Sequence, residues 1–193
     1  MSEMKSALER ALERAEQMGK LSPQEMQAQK EAEYIPYGNG LAQRYLEHGH
    51  FDVLAEGIAK HGGEEALIVK GAALKALVQS IELENGETTR RALQAIINLG
   101  IHKGINGTCQ KIEGVIGQYR DKKQQRYEEE RVTLEKSVRQ SLHRIRISGT
   151  AVGGVNVQTG EVWGRIVSEI QSEFGTRLSD LKRSLSQAAK VPS

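Results

Sequence analysis

The chain has 193 residues, of which 38% are hydrophobic and 27% charged, and its formal net charge is +2. This length allows one domain, or one small domain with an extension, since domains typically contain about 100–150 residues. The charge is balanced, with 27 basic and 25 acidic side chains, so the composition does not require a polyanionic partner. The longest apolar run, residues 66–69, is far shorter than a bilayer span of about 20 residues, so we expect no membrane-spanning helix.

Two features favour a reducing cytoplasm as the location of the protein. Residues 1–5 lack the apolar core of a signal peptide. The single Cys109 cannot form a disulfide within the chain.

Residues 1–21 predict an N-terminal amphipathic helix. The four-letter unit Ala-Leu-Glu-Arg occurs twice in succession, and all four residue types favour helix. The repeat places an apolar stripe on one face, formed by Met4, Leu8, Leu12 and Ala15. Such a stripe requires a partner surface, and we expect the helix to pack along the long helices near the C-terminus.

Residues 22–105 predict a small helical domain. Its first helix begins with Ser22 as N-cap, Pro23 at the first helical position and Glu25 completing a capping box. We expect it to end near Glu33, because Pro36 and the glycines that follow break helices. Apolar spacing predicts three more helices, marked by Leu54 and Ile58, by residues 67–81 and by residues 93–97.

Residues 106–193 predict a long helical hairpin arm. The first of its two helices covers residues 108–147 and is about 60 Å long, whereas a compact globule of this size is about 40 Å across. The helix must therefore protrude or pair with another helix. A second helix over residues 161–189 is available as an antiparallel, coiled-coil-like partner, either within the chain or from a second copy. The seam that would serve oligomerisation or a partner is Leu134, Val138, Leu142, Ile145, Trp163, Val167, Ile170, Phe174, Leu178 and Leu181.

Residues 147–160 separate the two arm helices and predict an exposed tip. They are rich in Val, Thr and Gly, and Gly153 and Gly154 suit the turn of a β-hairpin. The segment lacks the Gly-Lys-Ser/Thr sequence of a phosphate-binding loop. We therefore predict a docking tip, not a nucleotide site, and no cofactor.

Residues 4–9, the long charged helix and residues 147–152 resemble a family of small bacterial helical proteins of unknown function. The resemblance is one of order and rhythm along most of the chain. It implies a bacterial, cytoplasmic protein. The family has no established activity that the resemblance could assign to this chain.

Two alternatives for the chemistry remain open. Arg139, Arg144 and Arg146 form a basic cluster at the end of the long helix, which suits RNA, a ribosome or an acidic protein. His48 and His50, with neighbouring acidic residues, suit a small metal site.

The sequence therefore predicts an all-α fold and a non-enzymatic structural or interaction protein. Its mechanism would be burial of the arm seam against a second copy or a protein partner. Cys109 has no base beside it in the sequence, and we expect an ordinary, partly buried thiol rather than a nucleophile.

Overall fold

A computed structural model describes residues 22–100, 104–146, 156–158 and 160–188. Within these ranges the fold is all-α, as predicted. The six helices are α1 (Pro23–His48), α2 (Phe51–Ala59), α3 (Gly63–Gln79), α4 (Gly86–Leu99), α5 (Gly104–Arg144) and α6 (Glu161–Ala188). The predicted N-terminal helix (residues 1–21) and the greater part of the predicted tip (residues 147–155 and 159) lie outside the described residues.

Helix α1 confirms the predicted start and corrects the predicted end. Its capping box is present: the Ser22 hydroxyl accepts from the Glu25 amide at 3.2 Å, and the Glu25 carboxylate accepts from the Ser22 amide at 2.7 Å. The prediction that Pro36 breaks the chain is wrong, since α1 continues through it for twelve residues to His48. The helix is capped by Gly49, whose left-handed φ of 77° suits a residue without Cβ.

The packing of α1 against α3 explains why the helix continues past Pro36. Gly38 lies directly against α3, and a Cβ built on it would stand 2.8 Å from the Cβ of Ala72. Lys30 also pairs with Glu64 at 2.6 Å, so the partners advance in the same direction and the two helices run parallel. The packing of the second half of α1, where Gly38, Leu41, Ala42 and Tyr45 are buried, offsets the roughly 3 kcal/mol that a proline costs inside a helix.

One hydrophobic cluster joins all six helices. It includes Leu54 of α2, Leu77 of α3 and Ile96 of α4, together with Ile112 of α5 and Leu185 of α6. The cluster thus contains residues on both sides of residue 105, where the sequence predicts the boundary between small domain and arm. The division into domains stays a prediction.

Helices α5 and α6 pack against each other in antiparallel orientation. The rings of Tyr119 and Phe174 lie 5.9 Å apart, and further along α5 those of Tyr127 and Trp163 lie 5.4 Å apart. Residue numbers rise on α5 as they fall on α6, which fixes the direction. A second hydrophobic cluster fills this contact, formed by Val115, Tyr119, Val157, Trp163, Ile166, Ile170 and Phe174.

Candidate interaction surface

A carboxylate in the turn between α3 and α4 fixes the two long helices to the rest of the fold. One oxygen of Glu84, Oε1, accepts from the Tyr119 hydroxyl at 2.8 Å, the Lys123 ammonium at 2.6 Å and the Gln171 amide at 3.2 Å. The hydrogen bond from Lys123, followed by that from Tyr119, lowers the pKa of Glu84. No local sequence pattern indicates this group, because the partners of Glu84 lie 35 or more residues away along the chain.

Lys182 makes a second long-range connection. Its ammonium donates to the backbone carbonyls of Gln79 and Ile81, both at 2.9 Å, and so satisfies the C-terminal end of α3. Burial lowers the pKa of Lys182. Lys182 therefore ties helix α6 to the C-terminal end of α3 by polar contacts, in addition to the apolar contacts of α6.

Most of the predicted seam on α6 is already covered by this chain. Trp163, Ile170, Phe174 and Leu178 are buried. Val167 and Leu181 are half-buried and pack against the same clusters. Their role as a partner surface stays a prediction, and the part of the seam on α5 is the better candidate for such a surface.

The last part of α5 differs from the rest of the helix, and we name residues 128–146 the distal segment. Leu134 still packs against the second cluster. Val138 and Leu142 are half-buried, yet neither belongs to the two hydrophobic clusters of the described residues. Ile145, just past the helix, is 63% exposed. The apolar stripe of α5 therefore continues beyond its described contacts with α6.

The distal segment is also divided by charge. Residues 128–135 carry four acidic and one basic side chain, and residues 136–146 carry four basic and no acidic side chain. Arg139, Arg144 and Arg146 are all exposed. Arg146 follows the end of the helix and has a left-handed φ of 60°. The sequence-predicted arginines thus occupy one end of the segment, and acidic residues occupy the other.

The acidic half is partly organised within the helix. Arg131 pairs with Glu128 at 2.9 Å and with Glu135 at 2.7 Å. Two carboxylates share one guanidinium, so this half keeps a net negative charge. Glu129, on the opposite side of the helix from Val138, pairs with Arg126 at 3.3 Å.

The histidines of the metal hypothesis occupy neighbouring helix ends. His48 lies in the last turn of α1 and His50 is the residue before α2. Across residues 22–100 and the other described ranges, no group of three or more His, Cys, Asp or Glu side chains is placed to hold a metal ion.

Cys109 lies in the first hydrophobic cluster and is only 1% exposed. Burial, together with the nearby Glu113, raises its thiol pKa to about 11. The thiol is therefore protonated at neutral pH, which disfavours nucleophilic chemistry.

None of the described helices is long and apolar enough to cross a membrane. Neither the curated proteins nor the solved structures contain a match to this chain. One family model does match, over residues 55–187, and its description is "Family of unknown function (DUF6657)". This match covers α3 to α6 with most of α2, and it agrees with the resemblance to an uncharacterised family. Since it spans more than half of the chain, the protein belongs to the DUF6657 family.

Proposed function

We propose that this protein is a non-enzymatic structural protein that self-associates through the distal segment of α5. The observation that carries the proposal is the continuation of the apolar stripe, by Val138 and Leu142, past the two described clusters. A helix that extends beyond its own hydrophobic core presents a stripe that a second helix can cover. We place this function in the cytoplasm, an assignment supported by the free, buried thiol of Cys109.

The expected affinity follows from the small size of the stripe. Fully burying an exposed Val or Leu side chain contributes about 1.5–3 kcal/mol, and Val138 and Leu142 are already half-buried. Association itself costs an estimated 4–15 kcal/mol in lost freedom of motion. Apolar burial alone therefore gives weak association, and charge pairs across the contact are needed. The measurement should cover a wide range of protein concentrations.

The test is absolute mass by light scattering after size exclusion, at several loading concentrations and two salt concentrations. We expect a mass above the 21.3 kDa of one chain, falling as the salt rises. Leu142→Asp places a charge in the stripe and should return the mass to that of one chain. Gln140→Asp introduces the same residue on the opposite side of the helix, and should leave the mass unchanged.

A mass of 21.3 kDa for the unmodified chain at every concentration would contradict the proposed self-association. Equal effects of the two substitutions would also contradict it, because the contact would then not depend on the stripe. Helix content by circular dichroism checks that both variants fold.

RNA binding is a second candidate function. It is favoured by the exposure of Arg139, Arg144 and Arg146 and by the absence of acidic residues between residues 136 and 146. It ranks second because residues 136–146 contain no Phe, Tyr or Trp on which bases could stack.

If the protein binds RNA, we expect the chain to bind a labelled single-stranded RNA with an affinity that falls as the salt concentration is raised. Changing the three arginines to Glu should abolish binding. A control with three exposed lysines changed to Glu, at Lys60, Lys75 and Lys111, alters the net charge equally and should retain it. No binding at low salt, or equal loss in the control, would reject this candidate.

A further inference from the structure

We propose that the second copy binds the distal segment in antiparallel orientation, with Glu135 of each copy against Arg139 of the other and Glu130 against Arg144. This proposal rests on the proposed self-association and adds the partner's direction and register. It concerns only residues on the described part of α5.

The contact is built on the apolar stripe of the distal segment. Successive residues of an α-helix are rotated by about 100°, so Leu134, Val138 and Leu142 lie within an arc of about 80°. In an antiparallel pair centred near Ser137, Val138 of one copy lies within about 3 Å, along the helix axis, of Val138 of the other, and Leu142 lies equally close to Leu134. The stripe is thus complementary to itself, as a two-fold interface requires.

Charged residues flank this stripe on both sides. On one side lie Glu135 and Arg139, within about 100° of Val138. On the other side lie Glu130 and Arg144, within about 120° of Val138. When two helices run antiparallel, each flank of one helix faces the same flank of the other.

The spacing of these four residues sets one register. Glu135 and Arg139 are equally distant from Ser137, and so are Glu130 and Arg144. An antiparallel pair centred near Ser137 therefore brings both acid–base pairs together at the same time. Two-fold symmetry repeats each pair, which gives four opposite-charge contacts from one arrangement.

A parallel copy does not give these contacts. In a parallel pair the acidic half, residues 128–135, lies beside the acidic half of the partner, and the basic half, residues 136–146, lies beside the basic half. The shared use of Arg131 by Glu128 and Glu135 leaves the acidic half net negative, so the parallel arrangement is repelled. The charge division therefore favours the antiparallel copy.

Charge reversal tests the arrangement. We expect Glu135→Arg and Arg139→Glu each to weaken self-association of the full chain by about tenfold or more, because each places like charges together twice. An equimolar mixture of the two variants should restore the mass of the unmodified dimer, since both pairs are then opposite in sign. Glu129→Arg makes the same change on the far side of α5 and also breaks one ion pair, with Arg126, so it is the matched control and should have no effect.

The outcomes separate this proposal from the one it rests on. If the unmodified chain associates and Leu142→Asp abolishes the association, self-association stands. If Glu135→Arg then strengthens or leaves the association unchanged, or the mixture does not restore it, the antiparallel register is wrong. If the unmodified chain is a single copy at all concentrations, both proposals fail.

Disulfide trapping gives a second, independent measurement of register. Val138→Cys places the two new thiols in the middle of the stripe and within about 3 Å of each other along the helix axis when the antiparallel pair is centred near Ser137. Ser141→Cys is the control, since its two copies would then be about 12 Å apart along the helix axis, too far to bridge. We expect rapid cross-linking for the first substitution and little for the second. Equal yields at both positions would overturn the proposed register.

Discussion

Two glycines of α1 lie only two residues apart and have opposite roles. Gly38 is buried, and a Cβ there would meet the backbone carbonyl of Val69 and the Cβ of Ala72. Gly40 has nothing within 4 Å of the same position. The first glycine is required by the contact with α3, whereas the second only adds freedom to the unfolded chain.

We therefore expect Gly38→Ala to destabilise the fold by about 1–3 kcal/mol, because it overpacks the contact between α1 and α3. Gly40→Ala should instead stabilise it by about 0.5–1 kcal/mol, as in any exposed helix interior. Urea unfolding followed by circular dichroism gives both values. If the two substitutions shift stability in the same direction, the close contact of Gly38 is wrong.

We expect part of the free energy of unfolding to depend on the ionisation of Glu84, and therefore on pH. Its carboxyl pKa is lowered from 4.5 in the folded chain, chiefly by Lys123, so its contribution is present above that pH and is lost as the pH falls through the folded pKa. The side chain is 53% exposed, and solvent screening limits the effect. We expect Glu84→Gln to cost about 1 kcal/mol at neutral pH and progressively less below pH 4.5.

The measurement is the free energy of unfolding of Glu84→Gln against the unmodified chain between pH 3 and pH 7. Glu56→Gln, on the exposed side of α2, is the control and should follow the unmodified chain at every pH. A difference for Glu84→Gln that stays constant with pH would show that hydrogen bonding, not charge, carries the contribution of Glu84.

At the scale of helices, periodicity predicted most of the elements. The last helix was predicted over residues 161–189 and is Glu161–Ala188, and the long helix was predicted over residues 108–147 and is Gly104–Arg144. Both succeed because apolar spacing and the absence of proline are local signals. The predicted helix end near Pro36 is wrong because the contact between α1 and α3 outweighs the free-energy cost of a proline inside a helix. That contact joins residues that are distant in sequence, so a local pattern does not reveal it.

The candidate surface was predicted only in part, for a related reason. Leu142 and Phe174 both belong to apolar patterns with helical spacing, which predicts that they share one seam. The fold separates them: Phe174 is buried against Tyr119, whereas Leu142 lies outside both described clusters. Which part of a long amphipathic stripe stays available depends on where the partner helix begins. That point is set by contacts such as those of Glu84 and Lys182, whose partners are distant in sequence.

Because α5 and α6 pack against each other, substitutions at a buried and at an exposed position of α6 should change the stability by very different amounts. Phe174→Ala removes a buried ring that packs against Tyr119, and should destabilise the fold by about 3–5 kcal/mol. Val162→Ala, at a position 46% exposed, should change stability by less than about 0.5 kcal/mol. Thermal unfolding of the two variants tests this, and equal losses would contradict the pairing of the helices.

At the scale of the whole molecule, the length of α5 sets how far the distal segment lies from helices α1 to α4. Its 41 residues extend about 60 Å, which exceeds the roughly 40 Å diameter of a compact chain of this size. The helices α1 to α4 lie near its N-terminal end, where Ile105, Cys109 and Ile112 join the first cluster. The distal segment is therefore held at the end of α5 that is remote from those helices.

This arrangement makes the proposed dimer distinguishable by its dimensions. In an antiparallel pair centred near Ser137, the two bodies formed by α1 to α4 project in opposite directions. Each α5 contributes about 50 Å between residue 104 and the centre, so the maximum dimension should be at least about 100 Å. A parallel pair keeps both bodies at one end and stays close to the length of α5 itself, about 60 Å. Small-angle X-ray scattering on the associated chain separates these values. Leu142→Asp supplies the monomer reference, because it disrupts the stripe without touching either hydrophobic cluster. A dimer no longer than that reference would reject the antiparallel arrangement.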